Sequence, residues 1–146
     1  MRLSAKARYG LSALISMASS NSYAESVTVV SLANKLDISK IYLEQVFSLL
    51  KRAGLVTSIK GAQGGYQLSR RPQEITAYEI LAAIETSLFE KTEFTEKEKN
   101  DPISITMKEM VFEPMDCCLE LSLANITLED LSNRTKEQTQ GYMYYL

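Results

Sequence analysis

The chain has 146 residues, 45% of them hydrophobic and 23% charged, enough for one domain with a core of its own. It contains no histidine, only two cysteines, and no apolar run near the roughly 18 residues of a membrane span, so it is expected to act in the cytoplasm, away from membranes and without a disulfide framework. Its net charge of −2 conceals a division, for residues 1–72 carry +7 and residues 73–146 carry −9. A basic half points to a polyanionic partner, and an acidic half to a different task.

Taken in order, the first predicted element runs from Ser4 to about Ser19, with Ala7, Leu11, Leu14, Ile15 and Ala18 on one helical stripe. Arg2, Lys6 and Arg8 gather at its start, where the helix dipole disfavours positive charge. Their presence there suggests phosphate contacts. After a polar loop, Val27–Val30 reads as a short strand and Ser31 as the cap of a second helix with Leu32, Ala33 and Leu36 inward. A tight turn at Asp37-Ile38 leads to Ser39, placed to cap a third helix. Two short helices joined this way form a helix-turn-helix.

The third helix spans 39–53 and buries Leu43, Val46, Phe47 and Leu50, spaced i, i+3, i+4 and i+7. Lys40, Tyr42, Glu44, Gln45, Ser48, Lys51 and Arg52 are left on its other faces, and Gly54 closes it. Leu55–Ile59 then alternates and is rich in β-formers, Gly61 to Gly65 holds three glycines in five residues, and Tyr66-Gln-Leu68 resumes the alternation. This predicts a hairpin, or wing, over 55–68. Gly61-x-x-Gly64-Gly65 is not a nucleotide-phosphate loop, because no helix follows it and no phosphate-loop lysine is present.

Thr76-x-x-Glu79 is a capping box opening a fourth helix with Ile80, Ala83, Ile84 and Leu88 inward. Residues 90–102 hold five acids and three lysines and read as a charged linker or loop. From Ile103 to about Asn125, Met107, Met110, Val111, Met115, Cys118, Leu121 and Leu123 favour one side of a long helix that Pro114 should kink or divide. That stripe has no evident cover in its own chain, which implies a second subunit. Thr127 with Asp130 caps the last element. The expected division is 1–86 for a winged helix-turn-helix domain, 87–102 for the linker, and 103–146 for dimerisation.

No serine, cysteine or lysine lies in a motif that would activate it, and without histidine there is no imidazole base, so an enzyme is excluded. Cys117 and Cys118 are candidate redox residues. Helix neighbours point about 100° apart, so at most one faces inward, and cysteines of apolar helices are more often plain core residues. Two adjacent thiols without histidine make no tetrahedral metal set within one chain.

The basic half, the helix-turn-helix spacing, the polar outer face of the third helix and the glycine-tipped hairpin together point to double-stranded DNA. Tyr42, Glu44 and Gln45 would reach base edges in the major groove, and Lys60 would enter the minor groove from the wing. Arg2, Lys6, Arg8, Lys51 and Arg52 would neutralise phosphates. Tyr9, Ser39, Lys40, Gly61, Gly64, Gly65 and Tyr66 complete the candidate contact set. Competing readings are a thiol- or metal-responsive regulator using Cys117 and Cys118, and a winged helix that binds only protein.

The opening Met1-Arg-Leu-Ser-Ala-Lys-Ala-Arg-Tyr-Gly, Tyr42-Leu-Glu-Gln, Ala53-Gly-Leu-Val, Lys60-Gly-x-x-Gly-Gly-Tyr-x-Leu68 and Thr127-Leu-Glu-Asp-Leu together resemble the BadM/Rrf-type family of bacterial winged-helix transcriptional regulators. The resemblance implies a mainly α fold with a small β-hairpin, a long C-terminal dimerisation helix, and a homodimer on a palindromic operator. Some members carry an iron-sulfur cluster on three cysteines in the loop before the long helix. Residues 87–102 here contain no cysteine, so no cofactor is expected. With its C-terminal Gly141-Tyr-Met-Tyr-Tyr-Leu, the chain looks similar to the cluster-free cysteine-metabolism repressors of Gram-positive bacteria, which implies repression with cysteine synthase as corepressor. Lys60 stands where many relatives have arginine, which sheds its hydration more readily in a narrow groove.

Overall fold

The protein is described by a computed structural model covering residues 2–20, 23–61 and 64–144. Met1, the wing-tip residues Ala62 and Gln63, and Tyr145 and Leu146 of the C-terminal motif lie outside the described residues. The chain forms α1 (Ala5–Ala18), α2 (Val29–Leu36), α3 (Lys40–Arg52), β1 (Val56–Ile59), β2 (Gly65–Leu68), α4 (Ala77–Ile84) and the short α5 (Thr86–Phe89). Beyond the charged stretch come α6 (Pro102–Met107), a π-helical turn (Lys108–Phe112), α7 (Glu113–Ala124) and α8 (Leu128–Tyr144). Mainly helical with one antiparallel hairpin, it matches the expected fold class.

The apolar stripe predicted for α3 is its buried face, for Leu43, Val46, Phe47 and Leu50 are each 0% exposed. They meet Ala13, Leu14 and Met17 of α1, Leu32 of α2, Ile80 of α4 and Leu128 of α8 in one core cluster. Gly54 follows the cap residue Ala53 in the left-handed region at φ +77°. There the Leu55 amide donates to Leu50 O and the Gly54 amide to Lys51 O, both at 3.0 Å, a paired closure that satisfies the last carbonyls of the helix. Leu55, buried beside Leu50, then starts the chain into β1.

Two expectations around α2 are corrected. Its cap is Thr28, not Ser31: the Thr28 hydroxyl accepts from the Ser31 amide at 3.1 Å, so Val29 and Val30 fall inside the first turn. Instead of a strand over 27–30, Val27 alone makes a bridge, exchanging two 2.8 Å backbone bonds with Tyr66 of β2. Ser39 does occupy the N-cap of α3, but its hydroxyl makes no capping bond.

The expected break at Pro114 is a change of helical register. Proline has no N–H to give the Met110 carbonyl, and the preceding turn widens so that the Glu113 amide donates to Lys108 O, five residues back. Backbone angles stay helical at Met107, Lys108, Phe112 and Glu113, so the element continues from Pro102 to Ala124. On α4 the buried residues are Ala77, Ile80 and Leu81, with Ala83 and Ile84 half-buried. Leu81 takes a core position beyond those read from the sequence.

The last helix is tied back to the first part of the chain. The Leu128 amide donates to Ile75 O and the Ala77 amide to Ile126 O, both at 2.8 Å, while the Ser19 and Ser132 hydroxyls meet at 3.0 Å. Thr127 and Asp130 form the expected cap, with reciprocal bonds of 2.9 and 3.0 Å. Among the described residues, no helix is long and apolar enough to cross a membrane.

The capping box of α4 also receives the exit of the hairpin. Glu79 accepts from the Thr76 amide at 2.9 Å and from the Arg70 guanidinium at 2.8 Å. Burial raises the Glu79 pKa, but the Thr76 amide, the Arg70 guanidinium and the Thr76 hydroxyl together hold it below the ordinary 4.5. A carboxylate with a lowered native pKa adds stability that is present above its unfolded value and lost as pH falls through the native one. Thermal melts from pH 7 down to pH 3 should therefore show Glu79→Gln slightly less stable near neutrality and less sensitive to acid below about pH 4.5. A wild type and variant falling in parallel would contradict this.

Candidate nucleic-acid interface

The start of α3 is held in place by α1. Tyr42, 37% exposed, turns sideways and meets Tyr9 edge to face at 5.6 Å between ring centroids and 81° between planes. Lys6 Nζ lies 5.6 Å from the centre of the same ring. A cation over an exposed aromatic contributes about 0.5–1 kcal/mol, so this contact fixes a direction more than it adds stability. The basic N-terminus of α1 and the polar start of α3 therefore form one surface, with Arg2 and Arg8 exposed.

Along α3, Lys40, Glu44, Gln45, Ser48, Lys51 and Arg52 are exposed, as the sequence predicted. Glu44 stands 3.7 Å from Lys40, both side chains more than half exposed. Such a pair, four residues apart on a helix surface, contributes only about 0.3–0.5 kcal/mol. It leaves Glu44 free to exchange its lysine for an amino group on a base.

Ile41 is a residue that the sequence reading passed over. It is 69% exposed on the first turn of α3, and at about 100° per residue it stands roughly 180° from buried Leu50. The signal was available: Ile41 breaks the i, i+3, i+4, i+7 row that its apolar neighbours keep.

The wing is built on a two-stranded register, Val56↔Leu68, Thr57↔Gln67, Ser58↔Tyr66 and Ile59↔Gly65. Val56 and Leu68 enter the core, while Lys60 and Gly61 are exposed where β1 ends. The Gly64 amide donates back to Gly61 O at 3.1 Å across the tip. Tyr66 turns inward, its ring 4.7 Å from that of Phe47. Its ring thus anchors the wing to α3. Gly65 is required by contact, for a Cβ there would lie 2.7 Å from Val27 O.

Cys117 and Cys118 are both exposed on α7, and Cys117 lines a groove of about 1070 Å³ with Phe94, Ile105, Phe112 and Leu121. Among the described residues, no group of three or more His, Cys, Asp or Glu could hold a metal ion.

A helix-turn-helix followed by a hairpin packed on its second helix is the winged helix of DNA-binding regulators. The chain belongs to the Rrf2 family, whose model, described as iron-dependent transcriptional regulator, matches residues 3–134. It is 36% identical to the HTH-type transcriptional regulator CymR of Bacillus subtilis (strain 168), over 100% of both chains. A solved structure of CymR (YrzC), the global cysteine regulator of B. subtilis, matches with a TM-score of 0.73 at 33% identity, covering 92% of this chain and 98% of that one. T. potens IscR matches with a TM-score of 0.72 at 34% identity, over 99% and 97% of the two chains. The protein is thus a winged-helix transcriptional regulator and not an enzyme, and the family resemblance read from its motifs holds.

The donor set does not suit the iron of the family's description. Iron-sulfur clusters are held chiefly by several cysteine thiolates, yet residues 87–102 have no cysteine and the chain has no histidine. The adjacent Cys117 and Cys118 cannot make up that number within one chain.

Gly65→Ala should disrupt the Val27–Tyr66 bridge. Hydrogen exchange at the Val27 and Tyr66 amides is expected to speed up at least tenfold, with a lowered Tm. Unchanged exchange at both would show that the close approach at Gly65 does not hold the wing.

Proposed function

We propose that the protein is a homodimeric repressor that binds a palindromic operator through α3 and the wing, acting on DNA in the cytoplasm. The observation that carries this is the contact of Lys6 and Tyr9 with Tyr42, which joins the basic start of α1 to the reading helix. In this reading Tyr42, Glu44 and Gln45 approach base edges, with Ser39 and Lys40 at the helix start beside them. Arg2, Lys6, Arg8, Lys51 and Arg52 take phosphates, and Lys60 with Gly61 and Gly64 reaches the minor groove. Gly65 and Tyr66 hold the wing at the required height.

The dimer is supported by the exposed apolar side of the long helix. Ile103 is 70% exposed, Met110 74%, Met115 64% and Leu121 59%, a row that water covers poorly and a second copy would cover well. Residues 103–125 would supply the interface. Wild-type protein should then sediment at twice its 16.4 kDa chain mass, and Met110→Glu should shift it toward monomer. A monomeric wild type would refute the dimer.

Full-length similarity to CymR, the global cysteine regulator of B. subtilis, supports a finer reading, control of cysteine and sulfur metabolism, and the resemblance of the motifs to the cluster-free repressors adds cysteine synthase as corepressor. Cysteine synthase added to the protein should strengthen its hold on an operator, and O-acetylserine should reverse the effect. No interaction of the two proteins would remove the corepressor. The exposed thiols favour a second reading, in which Cys117 and Cys118 sense oxidant; a Cys117→Ser, Cys118→Ser variant that responds to peroxide like wild type would discard it.

The DNA reading is tested by titrating labelled fragments selected from random sequence at 50 to 200 mM salt. Affinity should fall steeply, because neutralised phosphates release counterions. Arg8→Ala should weaken all sequences alike and reduce the salt slope by about one per protomer, whereas Glu44→Ala should relax preference at one base pair by about 1–3 kcal/mol. Equal effects of both on all sequences would overturn these roles.

A further inference from the structure

We propose that Ile41 reads a thymine, its side chain closing on the C5-methyl group in the major groove, and that it sets one A·T position in each half-site. This goes beyond the DNA reading above and rests on it.

The core fixes the direction of α3. Leu43, Val46, Phe47 and Leu50 are wholly buried, which fixes the rotation of the helix about its axis. At about 100° per residue, Ile41, Gln45, Ser48 and Arg52 then fall within about 40° of one line on the opposite side. All four are exposed. They form the row that projects farthest from the core, the row a major groove receives first. Tyr42 is one step off that line and is drawn toward α1 by Tyr9 and Lys6, which leaves Ile41 at the leading tip.

At that tip a polar residue would be expected, since side chains there meet either water or base edges. Ile41 offers neither donor nor acceptor, and it is the one exposed aliphatic side chain of α3. A protein-docking face would need contiguous apolar surface, but the neighbours along its row are Gln45 and Ser48, and Lys40 and Glu44 flank it. Among the four base pairs in the major groove, thymine alone presents a methyl group, and apolar side chains recognise it by contact. Gln45 lies one helical turn further on, about 5.4 Å, close to the rise of one to two base pairs at about 3.4 Å each. The pair can therefore address neighbouring positions, Ile41 by a methyl contact and Gln45 by hydrogen bonds to adenine.

Removing one methyl–methyl contact should cost about three- to fourfold in affinity. The test uses the full-length protein and DNA fragments that it retains from a random pool, with each thymine replaced singly by deoxyuridine, which lacks only the methyl group. Wild type is expected to lose about three- to fourfold at one thymine per half-site. Ile41→Ala should bind the unmodified DNA correspondingly less well and lose its sensitivity at that same thymine, and Ile41→Val should keep part of it. Because Ile41 is exposed, both variants should keep the wild-type Tm. Wild-type affinity indifferent to every deoxyuridine, or sensitivity retained in Ile41→Ala, would overturn the proposal while leaving the DNA reading standing. Failure of wild type to retain any DNA would overturn both.

Discussion

Everything at the candidate interface depends on how α3 is seated. Leu43, Val46, Phe47 and Leu50 are buried against α1, α2 and α4, and that packing fixes which side chains point away. Phe47 does this twice, because it also receives the Tyr66 ring. The contact between buried Phe47 and half-buried Tyr66 thus couples the rotation of α3 to the height of the wing. Truncating a phenylalanine in such a core costs about 3–5 kcal/mol, a large share of a stability that in domains of this size is about 5–15 kcal/mol. The arrangement therefore persists as a unit or is lost as a unit.

Charge completes the division of labour. The +7 of residues 1–72 collects on the part of the chain that holds α1, α3 and the wing, and the −9 of residues 73–146 on the part that holds the long helix. Such a division attracts a polyanion to the first part and repels it from the second. Even so, the acidic part is not separate from the winged helix. Leu128 is in the same core cluster as Phe47, and backbone bonds link Ile75 and Ala77 to Leu128 and Ile126. The long helix and α8 are thus packed to the winged helix, α7 against α4 and α8 against α1.

The parts legible in the sequence were those with local rules. The stripe of α3, the closure at Gly54 and the Thr76–Glu79 box each announce themselves within a few residues, and each is present. The parts that were not legible depend on partners far along the chain. Val27 read as the start of a strand because its neighbours are β-branched, yet its bridge is to Tyr66, and Thr28 outcompetes Ser31 for the cap. Pro114 announces a lost hydrogen bond but not whether the chain bends or widens a turn to absorb it. Lys6 read as a phosphate contact alone, because no sequence rule brings it over Tyr42. Ile41 was overlooked for a related reason: a reading built on polar contact residues does not single out an exposed aliphatic one.

The proposed DNA-binding surface is a single one, made by the start of α1, the outer row of α3 and the base of the wing. Mapping amide chemical-shift changes of isotope-labelled protein as selected DNA is added tests this most directly. Shifts are expected to concentrate at residues 2–9, 39–52 and 59–66, with α7 little affected. Shifts confined to 103–124 and α8, with α3 and the wing silent, would contradict it.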